Sequence, residues 1–288
     1  MSAENWHSAL HLLQADAAPH VLISVVGAEG STPREPGAKM VVTAETSHDT
    51  LGGGRFEYQA IACARDMLAA SERGEQTTTP RLEAFPLGGR SGQCCGGHVS
   101  LLFECFAGAE QHIAIFGAGH VAQALVPLLT PLAWRIHWFD SRADAFAALS
   151  PSPCVDCHRL DENAIETALE SLPHGVHALV MTHDHAQDRR LIDALLSHAD
   201  VTSIGLIGSQ SKWASFQHLL RDAGHDTTAL ARVRCPIGIP GAGGKRPYEI
   251  ALAIAAELLT FAPAESHASQ HGVTPTTWHQ TTGQGVHL

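Results

Sequence analysis

His112-Ile-Ala-Ile-Phe116, running directly into Gly117-Ala-Gly-His-Val-Ala122, decides the fold of this chain. The spacing Gly117-x-Gly119-x-x-Ala122 has a mechanical reading. The first glycine makes a tight turn, and the second lets main-chain N–H groups approach a pyrophosphate at a helix N-terminus. The small third residue lets helix and strand pack closely. A lone match of this kind carries little weight, but the context here supports it. An apolar strand precedes it, a helix through Leu129 follows it, and the next strand, Arg135 to Phe139, ends in Asp140. A carboxylate about 20 residues downstream is placed to hold a ribose hydroxyl. Arg142 beside it would equally accept an extra phosphate. Gly117, Gly119, His120 and Asp140 are therefore candidate cofactor-binding residues at a nucleotide site. The same scaffold also serves packing alone, since a fold does not fix a function.

Reading outward toward the C-terminus, strands and helices alternate. Helix Asn163 to Leu172, strand Ala178 to Thr182, helix Asp188 to Ser197, strand Ser203 to Ile207 and helix Ser211 to Ala223 follow one another, with Gly224 as a stop. Such alternation implies a parallel sheet covered on both faces, with the loops after each strand along one ligand-bearing edge. Residues 109–232 thus form a Rossmann-like domain. Thr182-His-Asp-His185 falls on that edge, and His183 is a candidate cofactor contact. A helix cap explains the same four residues equally well. Cys154-Val-Asp-Cys157 has the spacing of a redox or zinc pair, but it has no second pair and lies in a proline-flanked stretch, which reads as a loop. Residues 233–262 form a loop and helix that pack back on the core. Their Ile250, Ile254 and Leu258 would suit a dimer face as readily as a core. Residues 263–288, rich in His, Thr, Gln and Gly, are expected to be a disordered tail.

Toward the N-terminus, Gly108-Ala-Glu110 marks a boundary, and residues 1–108 read as a small α/β domain with glycine-rich loops. The fold class is therefore α/β: a small N-terminal α/β domain plus a Rossmann-like parallel-sheet domain. A helix carries Trp6, Leu10 and Leu13, and strand Val21 to Val26 leads into Gly27-Ala-Glu-Gly-Ser-Thr-Pro-Arg34. A second strand runs from Lys39 to Thr43. Gly52-Gly-Gly54 precedes an amphipathic helix, and Arg81 to Pro86 is an edge strand closed by proline. Gly92-Gln-Cys-Cys-Gly-Gly-His98 follows, and a strand from Val99 to Phe106 leaves it. Adjacent cysteines rarely bond to each other, because neighbouring Cα atoms sit too close for disulfide geometry. Thiols on such a turn suit a soft metal, carried sulfur or a cofactor, and equally a half-buried turn of small residues. Arg34 and Arg55 are suited to phosphate. Glu57 is a candidate contact whose place in a first helical turn the helix dipole also explains.

Composition excludes several classes. A formal charge of −11, with 18 Lys and Arg in no cluster, argues against a nucleic-acid partner. No window approaches the roughly 18 apolar residues of a membrane span. The polar N-terminus is unlike a signal peptide. Seven cysteines, an odd number in a chain of this size, point to reduced thiols in the cytoplasm.

Taken in order, these pieces resemble the XdhC/CoxI family. The segments that carry the resemblance are Gly30-Ser-Thr-Pro-Arg34 with Gly37-Ala-Lys-Met40, Gly52-Gly-Gly-Arg-Phe-Glu57 and Gly92-Gln-Cys-Cys-Gly-Gly97. Ile115 to Ala122, Met181-Thr-His-Asp-His185, Gly205-Leu-Ile-Gly-Ser209, Pro236-Ile-Gly-Ile239 and Pro247 to Glu257 complete the set. The resemblance spans residues 6 to 262. It implies a chaperone rather than an enzyme, one that binds molybdenum cofactor in its molybdopterin form. Such a protein protects the cofactor during sulfuration and delivers it to apo-xanthine dehydrogenase of purine catabolism. A cysteine desulfurase and the proteins of molybdenum cofactor biosynthesis are the implied further partners. On this reading Gln93, Cys94, Cys95, Gly96 and Gly97 join Arg34 and Glu57 around the cofactor, which is expected between the cysteine turn and the strand edges of the Rossmann sheet, with Cys95 or Cys94 facing molybdenum. The competing readings are an NAD(P)-dependent oxidoreductase using the Rossmann-like domain and a zinc or thiol protein built on Cys154 and Cys157.

Overall fold

The structure, a computed structural model, describes residues 5–73, 75, 79–87, 97–147, 152–161, 163–242 and 244–261. The chain divides into two compact units, the first running to Gly108 and the second from Ala109 to Pro263.

The first unit contains, in order, α1 (Trp6–Ala15), β1 (His20–Glu29), β2 (Lys39–Val42), β3 (Ser47–His48), α2 (Gly54–Glu72), β4 (Arg81–Pro86) and β5 (His98–Phe106). The strands form a sheet in the order β3-β2-β1-β5-β4, antiparallel throughout. Side chains alternate across a strand, and β1 uses both faces. Val21, Ile23 and Val25 meet Phe56, Ala60, Ala64 and Met67 of α2, while Leu22 turns to α1. The register pairs Glu29 with His98, so the loops after β1 and before β5 leave the sheet at the same end.

The second unit contains β6 (Gln111–Phe116), α3 (His120–Leu129), β7 (Trp134–Asp140), β8 (Val155–Arg159), α4 (Ile165–Glu170) and β9 (Val176–Val180). It continues with α5 (His185–Ser197), β10 (Val201–Leu206), α6 (Gln210–Asp222), α7 (Thr227–Leu230), β11 (Val233–Arg234) and α8 (Pro247–Leu259). The sheet order is β11-β10-β9-β6-β7-β8, every pair parallel. This is the doubly wound Rossmann order, whose reversal falls between β6 and β9. Helices α3 and α8 cover Trp134, Ile136 and Trp138 on one face. The other face carries Phe116 and Phe139 against α4, α5 and α6.

One expectation is corrected. The stretch around Cys154 to Cys157 is not a loop, because Val155–Arg159 forms the edge strand β8. Its side chains are polar and largely exposed, so no apolar alternation announces it. Ile254 and Leu258 of α8 are fully buried in the core beside Leu125 and Leu129 of α3, with Ile250 packed against them. That face is therefore core. Among the described residues no helix is long and apolar enough to cross a membrane.

Candidate functional site

Three segments far apart in sequence meet at one end of the first sheet. Gly52 sits at φ 114°, and a Cβ there would lie 2.4 Å from the Pro33 Cβ. Only glycine fits a backbone so placed. Gly97 is buried, and a Cβ on it would come within 2.6 Å of the carbonyl oxygens of both Glu29 and Ser31. Its own carbonyl accepts the Leu87 N–H at 2.8 Å. The two residues that bracket positions 88–96 are thus tied to each other, and Gly97 is pressed against the loop after β1. Gln93, Cys94, Cys95 and Gly96 lie outside the described residues. Arg34 is exposed on the loop after β1.

Glu57 holds this end together. One of its carboxylate oxygens accepts from the Thr50 hydroxyl, from Leu51 N–H at 2.7 Å and from Gly53 N–H at 3.1 Å. It clamps the turn into α2, and it also places a negative charge in the helix's first turn. Thr50 is a partner that sequence alone does not single out.

At the second unit's ligand edge, Gly117 has φ 111°, and a Cβ there would lie 2.5 Å from the Met181 carbonyl oxygen. The glycine lets the loop after β6 press against the end of β9. Gly119 is the N-cap of α3, and a Cβ there would meet nothing within 4 Å. His120 opens α3 and is exposed.

Asp140 is buried, and its carboxylate is used within the protein. One oxygen accepts from Ala118 N–H at 2.6 Å and Arg142 Nη2 at 2.9 Å. The other accepts from Arg142 N–H and Nε, both at 2.9 Å. Burial alone would raise this carboxyl's pKa. The hydrogen bonds from Arg142 and Ala118 outweigh that and hold it below the ordinary value. Asp140 therefore fastens the glycine loop to the end of β7.

The Thr182-His-Asp-His185 turn is built as a cap. Asp184 accepts the Ala186 N–H at 2.8 Å at the start of α5, and His183 is exposed. Asp188 is fully buried. It accepts from Thr182 N–H at 3.1 Å, from the Thr182 hydroxyl at 2.7 Å and from Lys212 Nζ at 2.5 Å. Lys212 also donates to the Ile207 carbonyl at 3.0 Å. A lysine in the first turn of α6 opposes the helix dipole, which was the available sign that a buried anion awaits it. Nearby, a cavity of about 520 Å³ is lined by Ile207, Gly208, Gln210, Pro236, Ile239 and Ile250.

Three thiols among the described residues are shifted away from thiolate. Burial and Glu83 push Cys63 up to about 11, and burial also raises Cys157 and Cys235. A protonated thiol is a poor metal ligand. Cys154 is buried against the Thr130 carbonyl while Cys157 is exposed on β8, so the two do not form a pair.

A family model for the XdhC Rossmann domain matches residues 113–258, just over half of the chain. The chain belongs to the XdhC/CoxI family. A second model, for the XdhC and CoxI family, matches residues 13–79 and takes in Arg34 and Glu57. Among solved structures, this XdhC-family chain is similar to a xanthine dehydrogenase from Bacillus halodurans. Identity is 18% over 93% of this chain and 98% of that one, with a TM-score of 0.47. ChuY from E. coli CFT073 shares 16% over 54% of this chain and 91% of that one, with a TM-score of 0.34. WbmG of Bordetella bronchiseptica, solved with NAD and UDP, shares 16% over 53% and 50%, with a TM-score of 0.28. At TM-scores below 0.5 none of the three bears on function. No curated protein matches the chain.

Proposed function

We propose that this protein is a carrier of molybdenum cofactor. It holds the cofactor while an oxo ligand is replaced by a sulfido ligand, then passes it to apo-xanthine dehydrogenase. A cysteine desulfurase supplies the sulfur, and the carrier is not itself a turnover enzyme. Family membership supports the maturation role. The observation that carries the cargo site is the meeting, at one end of the first unit, of the Arg34 loop, the Gly52–Gly54 turn and Leu87 and Gly97, which bracket positions 88–96. The cargo is anionic and its metal is soft. An exposed guanidinium and glycine-loop N–H groups suit the phosphate, and a thiolate suits the molybdenum.

A nicotinamide oxidoreductase draws no support from the fingerprint's acidic residue. With each Asp140 oxygen already accepting two hydrogen bonds, from Ala118 and Arg142 or from Arg142 alone, the carboxylate offers no ready acceptor for a ribose hydroxyl.

The test is the molybdenum and pterin content of protein purified without oxygen from cells that make the cofactor. Wild type should carry both, and the Cys94→Ala/Cys95→Ala double variant should carry neither while remaining folded. Each single variant then identifies which thiol faces the metal. Equal content in wild type and double variant would remove the cysteines from the site.

A further inference from the structure

We propose that His137, Asp156 and His158 form a binding site for one divalent transition-metal ion of the zinc type, which fastens the edge strand β8 to β7. The proposal is independent of the proposed carrier role.

The argument starts from register. β7 and β8 are parallel, with His137 opposite Asp156 and Phe139 opposite His158. The two-residue period of a strand puts all four side chains on one face. One donor atom from each of His137, Asp156 and His158 lies within 4.8 Å of the other two. Zinc holds nitrogen and oxygen donors at about 2.0–2.2 Å, which places them roughly 3.3–4.2 Å apart. Closing the site takes a movement of the order of 1 Å, and His158, exposed on an edge strand, is free to make it.

The surroundings orient the donors. His137 Nε2 lies 3.3 Å from His112 Nδ1, and the two rings stack with centroids 5.6 Å apart. In the tautomer that donates Nε2–H to His112, the lone pair of His137 sits on Nδ1. Nδ1 faces Asp156 Oδ2 at 3.7 Å, too far for a hydrogen bond. In that tautomer a lone pair and a carboxylate face each other across the gap, the arrangement that a cation completes. The His112 contact is then the outer hydrogen bond that metal-bound imidazoles usually make. Arg135 grips Asp156 through Nε and Nη2, both at 2.8 Å, and fixes its orientation, though its positive charge tempers affinity for a cation. His158 stacks on Phe139 with centroids 4.8 Å apart. Two imidazoles and one carboxylate favour Zn²⁺, Ni²⁺ or Cu²⁺ over Mg²⁺ or Ca²⁺, and three protein ligands leave a position for water.

The experiment uses the full chain, stripped with chelator and dialysed against buffered Zn²⁺, with bound zinc and the thermal midpoint as readouts. His158→Gln changes an exposed side chain and keeps the fold, and His137→Gln is the companion variant. His218→Gln, exposed on α6, is the control. Other histidines and thiols contribute equally to all four proteins, so differences report this site alone. Wild type and His218→Gln should bind one zinc more than His158→Gln and His137→Gln, whose affinity for that ion falls at least about tenfold. Zinc should raise the midpoint only where the ion binds. Equal zinc content and equal thermal response in wild type and His158→Gln would overturn the site, as would a wild type that binds no zinc.

Discussion

The loop end of the first unit and the ligand edge of the second are both rich in glycine, but they use their polar groups differently. At the second unit's edge the acidic side chains are already committed. Asp140 is bound to Ala118 and Arg142, and Asp188 to Thr182 and Lys212. At the first unit's end one carboxylate, Glu57, gathers the turn into α2, while Arg34 stands exposed. A glycine motif reports how the chain must turn. Whether the neighbouring charges are available for a ligand depends on their partners.

The largest expected effect tests the second unit's internal pairing. Lys212→Met leaves Asp188 buried without its cation, so urea unfolding should show a loss of about 3–5 kcal/mol. A loss below 1 kcal/mol would mean that the edge is not held by this pair, and the contrast between the units would break. Next comes Gly97→Ala in the first unit. Its Cβ would meet two carbonyl oxygens, at a cost of about 1–3 kcal/mol, and molybdenum retention should fall with it. Unchanged stability would mean that Gly97 is not pressed against the loop after β1.

Protonation provides a readout in each unit. Burial lowers the pKa of His20 in the first unit below 6.5, against the opposing bond to the Ala18 carbonyl. Burial and then Arg234 do the same for His177 in the second. The folded chain therefore binds fewer protons than the unfolded chain as pH falls through 6.5. The stabilisation is present above that pH and is lost below it. The thermal midpoint should be lower at pH 5.5 than at pH 7.5, and His20→Gln should reduce the first unit's share of the drop. The smallest effects on stability belong to Gly119→Ala, which exchanges a good N-cap for a poor one at a cost of up to about 1 kcal/mol, and to Arg34→Ala, within about 0.5 kcal/mol by thermal melt.

Much of the fold was legible because hydrophobic period and turn chemistry agree across the second unit. The apolar strands at β6, β9 and β10, the glycine turn after β6 and the Gly224 stop all follow from local pattern. β8 escaped because an exposed edge strand of Asp, Cys, His and Arg has no apolar face to display. Of the two readings offered for α8, core or dimer face, the structure takes the core, and the periodicity of Ile250, Ile254 and Leu258 shows that a face is buried but not by what. At the candidate site, sequence placed Asp140 at the end of β7 but could not show that Ala118 and Arg142 fill its lone pairs. It noted Glu57 without its triple contact, because Thr50, Leu51 and Gly53 become partners only once the turn is folded.

The account's central claim is that the cargo is held by the first unit's loops. Molybdenum and pterin per chain, measured in Arg34→Ala beside Gly119→Ala, test it most directly. Both variants stay folded, and among the described residues a Cβ at position 119 meets no atom within 4 Å, so a ligand bound there would collide with it. The account predicts that Gly119→Ala retains its molybdenum and pterin, while Arg34→Ala loses affinity for them about tenfold or more. Loss in Gly119→Ala with retention in Arg34→Ala would contradict it and move the cargo to the Rossmann edge.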